Sequence, residues 1–376
     1  MKILILVNSL SYFVSHRMPI AQISMSKGYE VVIGYGELGD IDPGFVEKKG
    51  FKIFFVPMNR GGTNLFEEIK TIYSIWHLFR EIRPNIVHLV TIKPYLYGGI
   101  IARLTNVPAV VSAIAGLGSL FIQQDLNTRF LRALLYPVYR LAFAHPNQRV
   151  IVQNKSDIET LISWGVIESK KFCLINGSGV NLDKFTQLNE PVSIPTISFV
   201  GRLIKEKGVN EFIAAAHYLL KKGIKAHFWL VGDMDLKNPS GLKKNEIKKI
   251  DDGNIKLLGY RKDIANLYAK SHIVCLPSYR EGLPKALAEA AAASRAIVTS
   301  DVPGCRDSII PNISGLLTPV KNVKKLADNL QWLIENPSKR IAMGKAGRKL
   351  AERKFDINII IHDHLKIYQE LINNIL

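Results

Sequence analysis

The sequence predicts an α/β protein made of two doubly wound parallel-sheet domains. Short apolar runs recur along the 376 residues without polar alternation, and such runs are typical of strands that helices cover on both faces. Helix-length segments separate the runs, and regular alternation of strand and helix builds a parallel sheet. The predicted strands lie at residues 3–7, 30–34, 52–56, 86–90, 109–112 and 149–152, and at 196–200, 226–231, 255–257, 273–277 and 296–299. The clearest helical patterns lie at 210–222, 263–270 and 284–293.

The strand–helix pattern restarts after residues 176–195, which contain Asn, Gly and Pro and show little periodicity. Such a segment predicts a linker. We therefore expect an N-terminal domain at 1–180, a C-terminal domain at 190–357 and a final helix within 358–376. One possible position for that helix is against the N-terminal domain. Two domains that face each other would enclose a cleft at the carboxyl ends of their strands, where open α/β sheets bind ligands.

The composition excludes several classes of protein. Hydrophobic residues make up 47% and charged residues 22%, which excludes a disordered tail or a collagen-like repeat. The 3 cysteines lie far apart, so we predict neither a disulfide framework nor a zinc knuckle, and we expect a reducing compartment. No run reaches about 18 apolar residues, so no membrane-spanning helix is predicted. The run at 3–7 is too short for a signal-peptide core and is interpreted as a buried strand.

The chain is strongly basic, with 50 Lys and Arg against 32 Asp and Glu and a net charge of +18. A basic proteome or simple solubility accounts for such a charge, and so does an anionic partner: a nucleic acid, a phosphorylated ligand or an acidic membrane surface. The excess is spread along the chain without a long Lys/Arg run, so we expect no nucleic-acid partner.

Two carboxylates flank a strand–turn–helix junction. Glu281 lies in the glycine turn after the predicted strand at 273–277, and Glu289 lies well into the following helix. Pro284 suits the first turn of that helix, whose free backbone N–H groups can hold a phosphate or sugar oxygen. A carboxylate such as Glu289 can accept hydrogen bonds from two ribose hydroxyls. This context favours a ligand site over the alternative, a solvated pair of helix glutamates.

A second motif follows the predicted strand at 196–200 directly. Arg202 and Lys207 lie in a strand-to-helix loop that ends at Gly208. The planar guanidinium of an arginine matches phosphate oxygens, and a lysine adds a point charge. The loop therefore favours a phosphate contact, the alternative being a solvated surface loop.

Together the two motifs resemble the GT-B glycosyltransferases of family 4, retaining enzymes that use nucleotide sugars. The resemblance covers essentially the whole chain and implies two Rossmann-like domains that face a cleft. It implies that Arg202 and Lys207 hold the donor diphosphate, that Glu281 lies by the donor sugar and that Glu289 binds the ribose. Gly282 and Leu283 belong to the same donor loop. Two later segments, 300–307 with Gly304 and 312–317 with Gly315, would close the back of the donor site.

The N-terminal half narrows the resemblance to the subgroup that acts on polyprenyl-diphosphate-linked sugars, which includes N-acetylgalactosaminyltransferases. The stretches that carry this likeness are 15–20, 91–98 and 115–121, whereas residues 8–11, Asn-Ser-Leu-Ser, replace the usual Gly-Gly pair. The acceptor-side candidates are His16, Arg17, Lys93, Gly116 and Gly118. Arg17 and Lys93 would meet the acceptor diphosphate. His16 would polarise a hydroxyl or bind the donor sugar, unless it is structural. His88 and the cysteines are predicted to pack in the core.

Residues 127–143 mix arginines with large apolar and aromatic side chains. Such a segment can lie in a membrane interface, where Arg129, Arg132 and Arg140 would meet anionic headgroups. The alternative is an ordinary core helix with an exposed basic side. Pro137 could kink or end the helix.

The resemblance implies a retaining glycosyltransferase on the inner, cytoplasmic face of the plasma membrane. It would transfer an N-acetylhexosamine such as GalNAc from a UDP-sugar to a polyprenyl-diphosphate-linked saccharide of a bacterial surface glycan or glycoprotein glycan. The catalytic candidates are Glu281, Arg202, Lys207 and His16. No cofactor or obligatory metal is expected, since Asp233 and Asp235 form only a weak Asp-x-Asp motif. Two alternatives stay open: a UDP-sugar 2-epimerase of the same fold, and a non-enzymatic basic module that binds membrane surfaces.

Overall fold

The computed structural model describes residues 1–59, 64–118, 121, 126–234, 240–242 and 253–375. These residues form two compact units. Unit 1 comprises Met1–Ser178 and the segment from Asn358 onward, and unit 2 comprises Gly179–Ile357. The chain therefore changes unit after Ser178 and returns to unit 1 for its last helix.

Unit 1 is built on a parallel sheet. Among the described residues its strands lie in the order β3-β2-β1-β4-β5-β6-β7. Their bounds are β1 Lys2–Ser9, β2 Glu30–Glu37, β3 Lys52–Phe55, β4 Ile86–Val90, β5 Ala109–Ile114, β6 Gln148–Val152 and β7 Phe172–Leu174. The predicted strands of the first half are confirmed, and the short edge strand β7 was missed. The interior strands are buried almost throughout, as apolar runs without alternation require.

Helices cover both faces of this sheet. Their bounds are α1 Leu10–His16, α2 Met18–Ser26, α3 Pro43–Glu47, α4 Leu65–Ile82, α5 Ile92–Leu104, α6 Leu126–Ala142 and α7 Lys155–Ser163. The helices α4, α5 and α6 connect β3, β4, β5 and β6 in succession, and each packs beside the next. Because right-handed crossovers that advance in one direction stay on one face, these three helices form one layer.

Unit 2 repeats the architecture with the strand order β10-β9-β8-β11-β12-β13 among its described residues. The strands are β8 Thr196–Val200, β9 His227–Val231, β10 Ile255–Gly259, β11 Ile273–Leu276, β12 Ala296–Ser300 and β13 Gly315–Thr318. The helices in its described part include α8 Val209–Lys221, α9 Ile264–Ala269, α10 Lys285–Ala292, α11 Val323–Glu335 and α12 Pro337–Lys354. The predicted strands and the three predicted helices of this half are confirmed, and β13 was missed. Cys275 and Cys305 are buried as predicted, whereas Cys173 on β7 is half-buried.

The last helix, α13 (Ile357–Asn373), packs within unit 1. It lies against the sheet face opposite to α4, α5 and α6. The side chains of Val87 and Leu89 join the apolar core under those helices, whereas His88 between them lies within hydrogen-bond distance of Tyr368 on α13.

The predicted linker at 176–195 is mostly part of unit 2. Its residues from Gly179 onward belong to that unit. Arg340 donates two hydrogen bonds to the carboxylate of Glu190, with Nη2–Oε2 and Nε–Oε1 distances of 2.8 and 3.0 Å. Arg348 donates to the carbonyl of Phe185 at 2.6 Å. Because these partners lie about 150 residues away in the sequence, the local composition of 176–195 could not reveal them, and the segment was interpreted as a linker.

Each sheet has a switch point, where the chain connections leave in opposite directions. It lies between β1 and β4 in unit 1, and between β8 and β11 in unit 2. Open α/β sheets bind ligands outside the carboxyl ends of the strands at such points. The candidate residues of each half follow these strands.

Candidate active site

The two donor-side motifs meet at the switch point of unit 2. Because β8 and β11 are parallel neighbours, the loops that follow them leave at the same edge of the sheet. Lys207 from the first loop places Nζ 2.5 Å from Oε1 of Glu281 in the second. Both side chains are mostly but not fully covered, at 22% and 13% exposure. The structure therefore brings together two of the predicted catalytic residues as an ion pair at the carboxyl edge of the sheet.

Glycines allow these loops to approach each other closely. Gly208 has φ of +74°, and a Cβ atom there would lie 2.1 Å from the carbonyl oxygen of Pro277. Gly304, after β12, has φ of +77°, and its Cβ atom would lie 2.2 Å from the carbonyl oxygen of Gly282. A side chain would be strained at both positions and would also collide with backbone. The loops after β8, β11 and β12 therefore form one interlocked edge.

Two residues that the sequence analysis did not single out hold the turn before α10. Ser278 donates a hydrogen bond from Oγ to Oε1 of Glu281 at 2.7 Å, so this oxygen accepts from both Ser278 and Lys207. Tyr279 donates its hydroxyl to Oε1 of Glu211 on α8 at 2.8 Å. Burial, together with the bond to Glu211, raises the pKa of Tyr279. The one sequence signal that could have identified Ser278 was a hydroxyl residue three positions before Glu281, close enough to hydrogen-bond its carboxylate.

Glu289 lies on α10, beyond the turn. Its side chain is 13% exposed, and Nζ of Lys285 on the same helix lies 3.6 Å from its Oε1. Burial raises the pKa of the Glu289 carboxyl, and the ammonium groups of Lys285 and Lys184 act in the opposite direction. A largely covered carboxylate beside cations suits hydrogen bonds from neutral hydroxyls.

The remaining donor-side candidates line the same edge. Arg202 is exposed on the loop after β8, and Gly282 and Leu283 form the buried turn before α10. Helix α10 begins at Lys285 after Pro284. The first backbone N–H groups of a helix have no intrahelical acceptor, so this end can receive an anion.

The acceptor-side candidates follow three strands of unit 1 that are neighbours in the sheet. His16 and Arg17 come after β1, Lys93 after β4, and Gly116 and Gly118 after β5. The two glycines have φ of +128° and +68°, a region that residues with a side chain rarely adopt. The topology therefore brings Lys93, Gly116 and Gly118 to one edge of the sheet, whereas His16 and Arg17 follow the whole of α1.

His16 is half-buried at the end of α1. Its ring stacks on that of Tyr12 with centroids 4.2 Å apart, and its Nδ1 lies 2.6 Å from Oγ of Ser15. These contacts fix the ring plane, which suits either a structural or a substrate-orienting imidazole.

Arg17 lies inside unit 1, with 1% of its surface exposed. Its Nη1 donates to the carbonyl of His16 at 3.0 Å, and among the described residues no carboxylate lies within 4 Å of its guanidinium. Burial has the largest effect on the pKa values of His88, His364 and Tyr368, and the charge of Arg17 acts to lower all three. The sequence placed Arg17 on the substrate-facing surface, whereas the structure buries it. Its contact with an acceptor stays a prediction.

Lys93 lies in the first turn of α5, and its Nζ pairs with Oε1 of Glu68 on α4. The same carboxylate accepts the hydroxyl of Tyr97 at its other oxygen, at 2.6 Å. Burial, and then the bond to Glu68, raises the pKa of Tyr97. Neither Glu68 nor Tyr97 was predicted.

Helix α6 carries the three arginines predicted to meet a membrane. Arg129 and Arg140 are exposed, and Arg132 is half-buried. Pro137 lies inside the helix and does not end it. In the part of the chain that the structure describes, no helix combines the length and the apolar character needed to cross a bilayer. The same residues contain no group of three or more metal-ligating side chains, and Asp235 lies outside them.

Comparison with known proteins assigns each half of the chain. Residues 2–154 match the family described as "Glycosyl transferase 4-like", and residues 181–350 match "Glycosyl transferases group 1". A Campylobacter jejuni protein named N,N'-diacetylbacillosaminyl-diphospho-undecaprenol alpha-1,3-N-acetylgalactosaminyltransferase is 30% identical over 87% of this chain and 88% of its own. The chain is a family 4 glycosyltransferase of the GT-B fold.

Two further comparisons bear on this assignment, one by sequence and one by fold. An Escherichia coli protein named UDP-Gal:alpha-D-GlcNAc-diphosphoundecaprenol alpha-1,3-galactosyltransferase is 28% identical over 74% of each chain. The crystal structure of Anabaena Alr3699/HepE in complex with UDP and glucose matches with a TM-score of 0.78 at 17% identity, covering 98% of this chain and 100% of that one. The second likeness bears on the fold alone. The family predicted from the two loop motifs is thus confirmed.

Proposed function

We propose that this glycosyltransferase moves an N-acetylhexosamine, such as GalNAc, from a UDP-sugar to a polyprenyl-diphosphate-linked saccharide. We further propose retention of configuration at the anomeric carbon and a role in a bacterial surface glycan or glycoprotein glycan. The observation that carries the proposal is the Lys207–Glu281 pair at the switch point of unit 2, in a chain whose relatives are named for such acceptors. Unit 2 takes the donor and unit 1 the acceptor.

The donor-side geometry fits departure of a diphosphate. As the sugar–oxygen bond breaks, negative charge grows on the leaving group and the sugar gains oxocarbenium character. Lys207 and Arg202 carry positive charges on the loop after β8, and the start of α10 adds backbone donors. Preorganised charges aimed at a developing anion stabilise the transition state more than the ground state. Glu289 would accept the ribose hydroxyls, and Glu281 would lie by the donor sugar with its position fixed by Ser278.

The acceptor side offers a cation at the corresponding edge of unit 1. Lys93 follows β4, beside the loop that contains Gly116 and Gly118. We assign the acceptor diphosphate to Lys93 and to backbone groups of that loop. His16 would orient the acceptor hydroxyl or contact the donor sugar. The leaving diphosphate would take the hydroxyl proton, so no side-chain nucleophile is required.

A lipid-linked acceptor keeps its tail in a bilayer, so the enzyme would act at a membrane surface, which we propose is the inner face of the plasma membrane. Two helices of the same layer of unit 1 support this placement. The outward stripe of α6 consists of Leu126, Arg129, Phe130, Leu134, Arg140 and Leu141. The outward stripe of α4 consists of Leu65, Phe66, Ile69, Ile72, Tyr73 and Trp76. Phe66 is 83% exposed and Leu126 is 79% exposed. Exposed apolar stripes with aromatic rings and arginines fit a lipid interface.

We expect turnover without a divalent cation, because Arg202, Lys207 and the start of α10 supply the positive charge that a metal would bring to the diphosphate. Activity that disappears with EDTA and returns with Mg²⁺ or Mn²⁺ would overturn this expectation.

The test is a panel of UDP-sugars offered with synthetic polyprenyl-diphosphate-linked saccharides. Transfer from UDP-GalNAc or UDP-GlcNAc, with an α linkage by NMR, would support the proposal. Transfer only to sugars without the lipid diphosphate would contradict the acceptor assignment. Conversion of the UDP-sugar to its 2-epimer without acceptor would indicate an epimerase. Vesicle binding without transfer from any donor would favour a membrane-binding module.

A further inference from the structure

Three polar side chains meet where α4 and α5 begin. Glu68 lies in the first turn of α4, and Lys93 and Tyr97 lie one turn apart at the start of α5. Oε1 of Glu68 pairs with Nζ of Lys93, and Oε2 accepts from the Tyr97 hydroxyl at 2.6 Å. Each oxygen of one carboxylate thus binds one residue of α5. The Glu68 and Lys93 side chains are each 15% exposed, so the cluster lies just below the surface.

The local backbone directs Lys93 to this point. Thr91, between β4 and α5, has φ of +76°, and a β-branched residue rarely adopts this left-handed conformation. The turn lets α5 begin immediately after the strand, so Lys93 lies at the carboxyl edge beside the switch point between β1 and β4. Asn64 caps α4 by accepting from the backbone N–H of Phe66, which fixes the turn that carries Glu68.

We propose that Glu68 is a positioning residue that holds Lys93 for the acceptor diphosphate, with Tyr97 fixing the carboxylate. This inference rests on the function proposed above. A lysine side chain has four flexible carbon–carbon links, and ordering it on binding costs conformational entropy. A lysine that is already ordered in the unbound protein avoids most of that cost. An ammonium carries three N–H donors, so contact with a carboxylate is compatible with contact to a phosphate oxygen.

The charges of the cluster also fit a site that must bind and release. Glu68 offsets the Lys93 charge when no acceptor is bound, so the enzyme avoids an unpaired, mostly covered cation. Tyr97 supplies a neutral donor, because its raised pKa keeps the hydroxyl protonated. The acceptor diphosphate would then join the lysine without displacing Glu68.

The test is steady-state kinetics with a polyprenyl-diphosphate-linked acceptor and with UDP-sugar varied separately. We expect Glu68→Ala to raise the acceptor KM by about tenfold, since the freed lysine side chain would have to be ordered on binding, at a cost in side-chain entropy worth about that factor. Glu68→Gln and Tyr97→Phe should raise it less, because each retains part of the network. The donor KM should stay unchanged, and kcat at saturating acceptor should change by less than about threefold.

The matched control is Glu67→Ala. Glu67 lies in the same turn of α4 and is exposed, and its carboxylate accepts from Asn59 at 2.7 Å. We expect its acceptor KM to equal that of the unmodified enzyme. A double-mutant cycle of Glu68→Ala with Lys93→Met decides whether Glu68 acts through Lys93. In that case the double variant should be no worse than Lys93→Met alone.

An unchanged acceptor KM in both Glu68 variants would overturn the proposal, and so would fully additive effects in the cycle. If thermal melting shows that Glu68→Ala is unfolded, the acceptor KM values of Glu68→Gln and Tyr97→Phe, compared with that of Glu67→Ala, decide in its place. The proposed function fails differently, because the unmodified enzyme would then transfer no sugar to any polyprenyl-diphosphate acceptor.

Discussion

Tyr368 in the last helix and His88 in β4 are joined across 280 residues of sequence, with the Tyr368 hydroxyl 2.6 Å from Nδ1 of His88. His364, one turn earlier, donates from Nδ1 to the carbonyl of Ile360 at 2.7 Å, and its ring lies 5.7 Å from that of His88. Both histidines are buried, and the Arg17 charge acts on both. The C-terminal helix is thus attached to β4 through a buried tyrosine–histidine hydrogen bond and a contact between two buried imidazole rings.

This arrangement predicts loss of stability in acid. Burial, followed by Arg17, lowers the pKa of His88 well below its usual range and that of His364 to about 3. A histidine whose folded pKa is depressed contributes its full stability above the unfolded pKa of about 6.5 and loses it as the pH falls. Each histidine should therefore lower the free energy of unfolding by about 1.4 kcal/mol for every pH unit below about 6.5. The urea midpoint of unfolding, measured from pH 7.5 to pH 5, checks this.

The His364→Gln variant isolates the effect, because His145 and His272 also have lowered pKa values and will titrate in both proteins. We expect the urea midpoint of His364→Gln to fall less steeply below about pH 6.5 than that of the unmodified protein. Parallel curves would mean that His364 is not kept neutral by its surroundings.

The Glu289→Ala variant should bind UDP more weakly. A hydrogen bond to a charged group is worth about 1.5–3 kcal/mol, so the Kd for UDP should rise about 10- to 150-fold. Isothermal titration with UDP measures it. Glu335→Ala, which removes an exposed helix carboxylate of the same unit, should leave the affinity unchanged. A folded Glu289→Ala variant with unaltered UDP affinity would remove Glu289 from the site.

Arg202→Ala and Lys207→Ala should lower kcat more than they disturb folding, although Lys207→Ala also removes the ion-pair partner of Glu281. Removing one preorganised contact to developing charge costs about 100- to 1,000-fold in kcat. Lys205→Ala, on the same loop and exposed, is the matched control and should keep normal turnover. Rates at saturating donor and acceptor decide the question, and wild-type turnover in both variants would show that the phosphate assignment is wrong.

The Gly304→Ala variant tests the contact between the loops of unit 2. Its Cβ atom would lie 2.2 Å from the Gly282 carbonyl, whereas a Cβ atom at Gly223, with φ of +81°, would meet nothing within 4 Å. Both substitutions cost about 1 kcal/mol or more for the left-handed backbone, but only the first adds a collision. We expect a clearly lower urea midpoint for Gly304→Ala than for Gly223→Ala. Equal midpoints would mean that the loops can separate without cost.

The sequence was informative where local pattern determines structure. Uninterrupted apolar runs located the interior strands, whereas the edge strands β7 and β13, of three and four residues, were missed. Strand-end logic placed Lys207 and Glu281 at one edge. It could not show that they pair, because that depends on how the loops fold around Gly208 and Gly304.

Long-range packing explains most of what the sequence analysis missed. Arg17 is buried, and its charge acts on His364 and Tyr368 of α13, which returns to unit 1 from the far end of the chain. Lys93 is held by Glu68 from a different helix, 25 residues earlier. In both cases the decisive partner lies outside any local motif, so residue type and spacing identified the cation without its environment.

The last prediction concerns the membrane. Arg129, Arg132 and Arg140 should bind anionic headgroups, while the apolar stripes of α6 and α4 enter the interface. Each arginine near an anionic surface is worth on the order of 1 kcal/mol, and salt weakens the attraction. Replacing the three arginines with glutamine should therefore reduce binding to phosphatidylglycerol vesicles by up to about 100-fold at low salt, Arg132 contributing least because it is half-buried. Replacing three exposed lysines of unit 2, Lys339, Lys345 and Lys349, removes the same charge elsewhere and should have a much smaller effect.

The Phe66→Ser and Phe130→Ser variants test the apolar stripes of α4 and α6 separately. A loss of vesicle binding that persists at high salt identifies the helix that enters the apolar layer. Equal binding by the arginine and lysine variants would place the membrane contact elsewhere, and absence of binding by the unmodified protein would leave α6 as an ordinary packed helix.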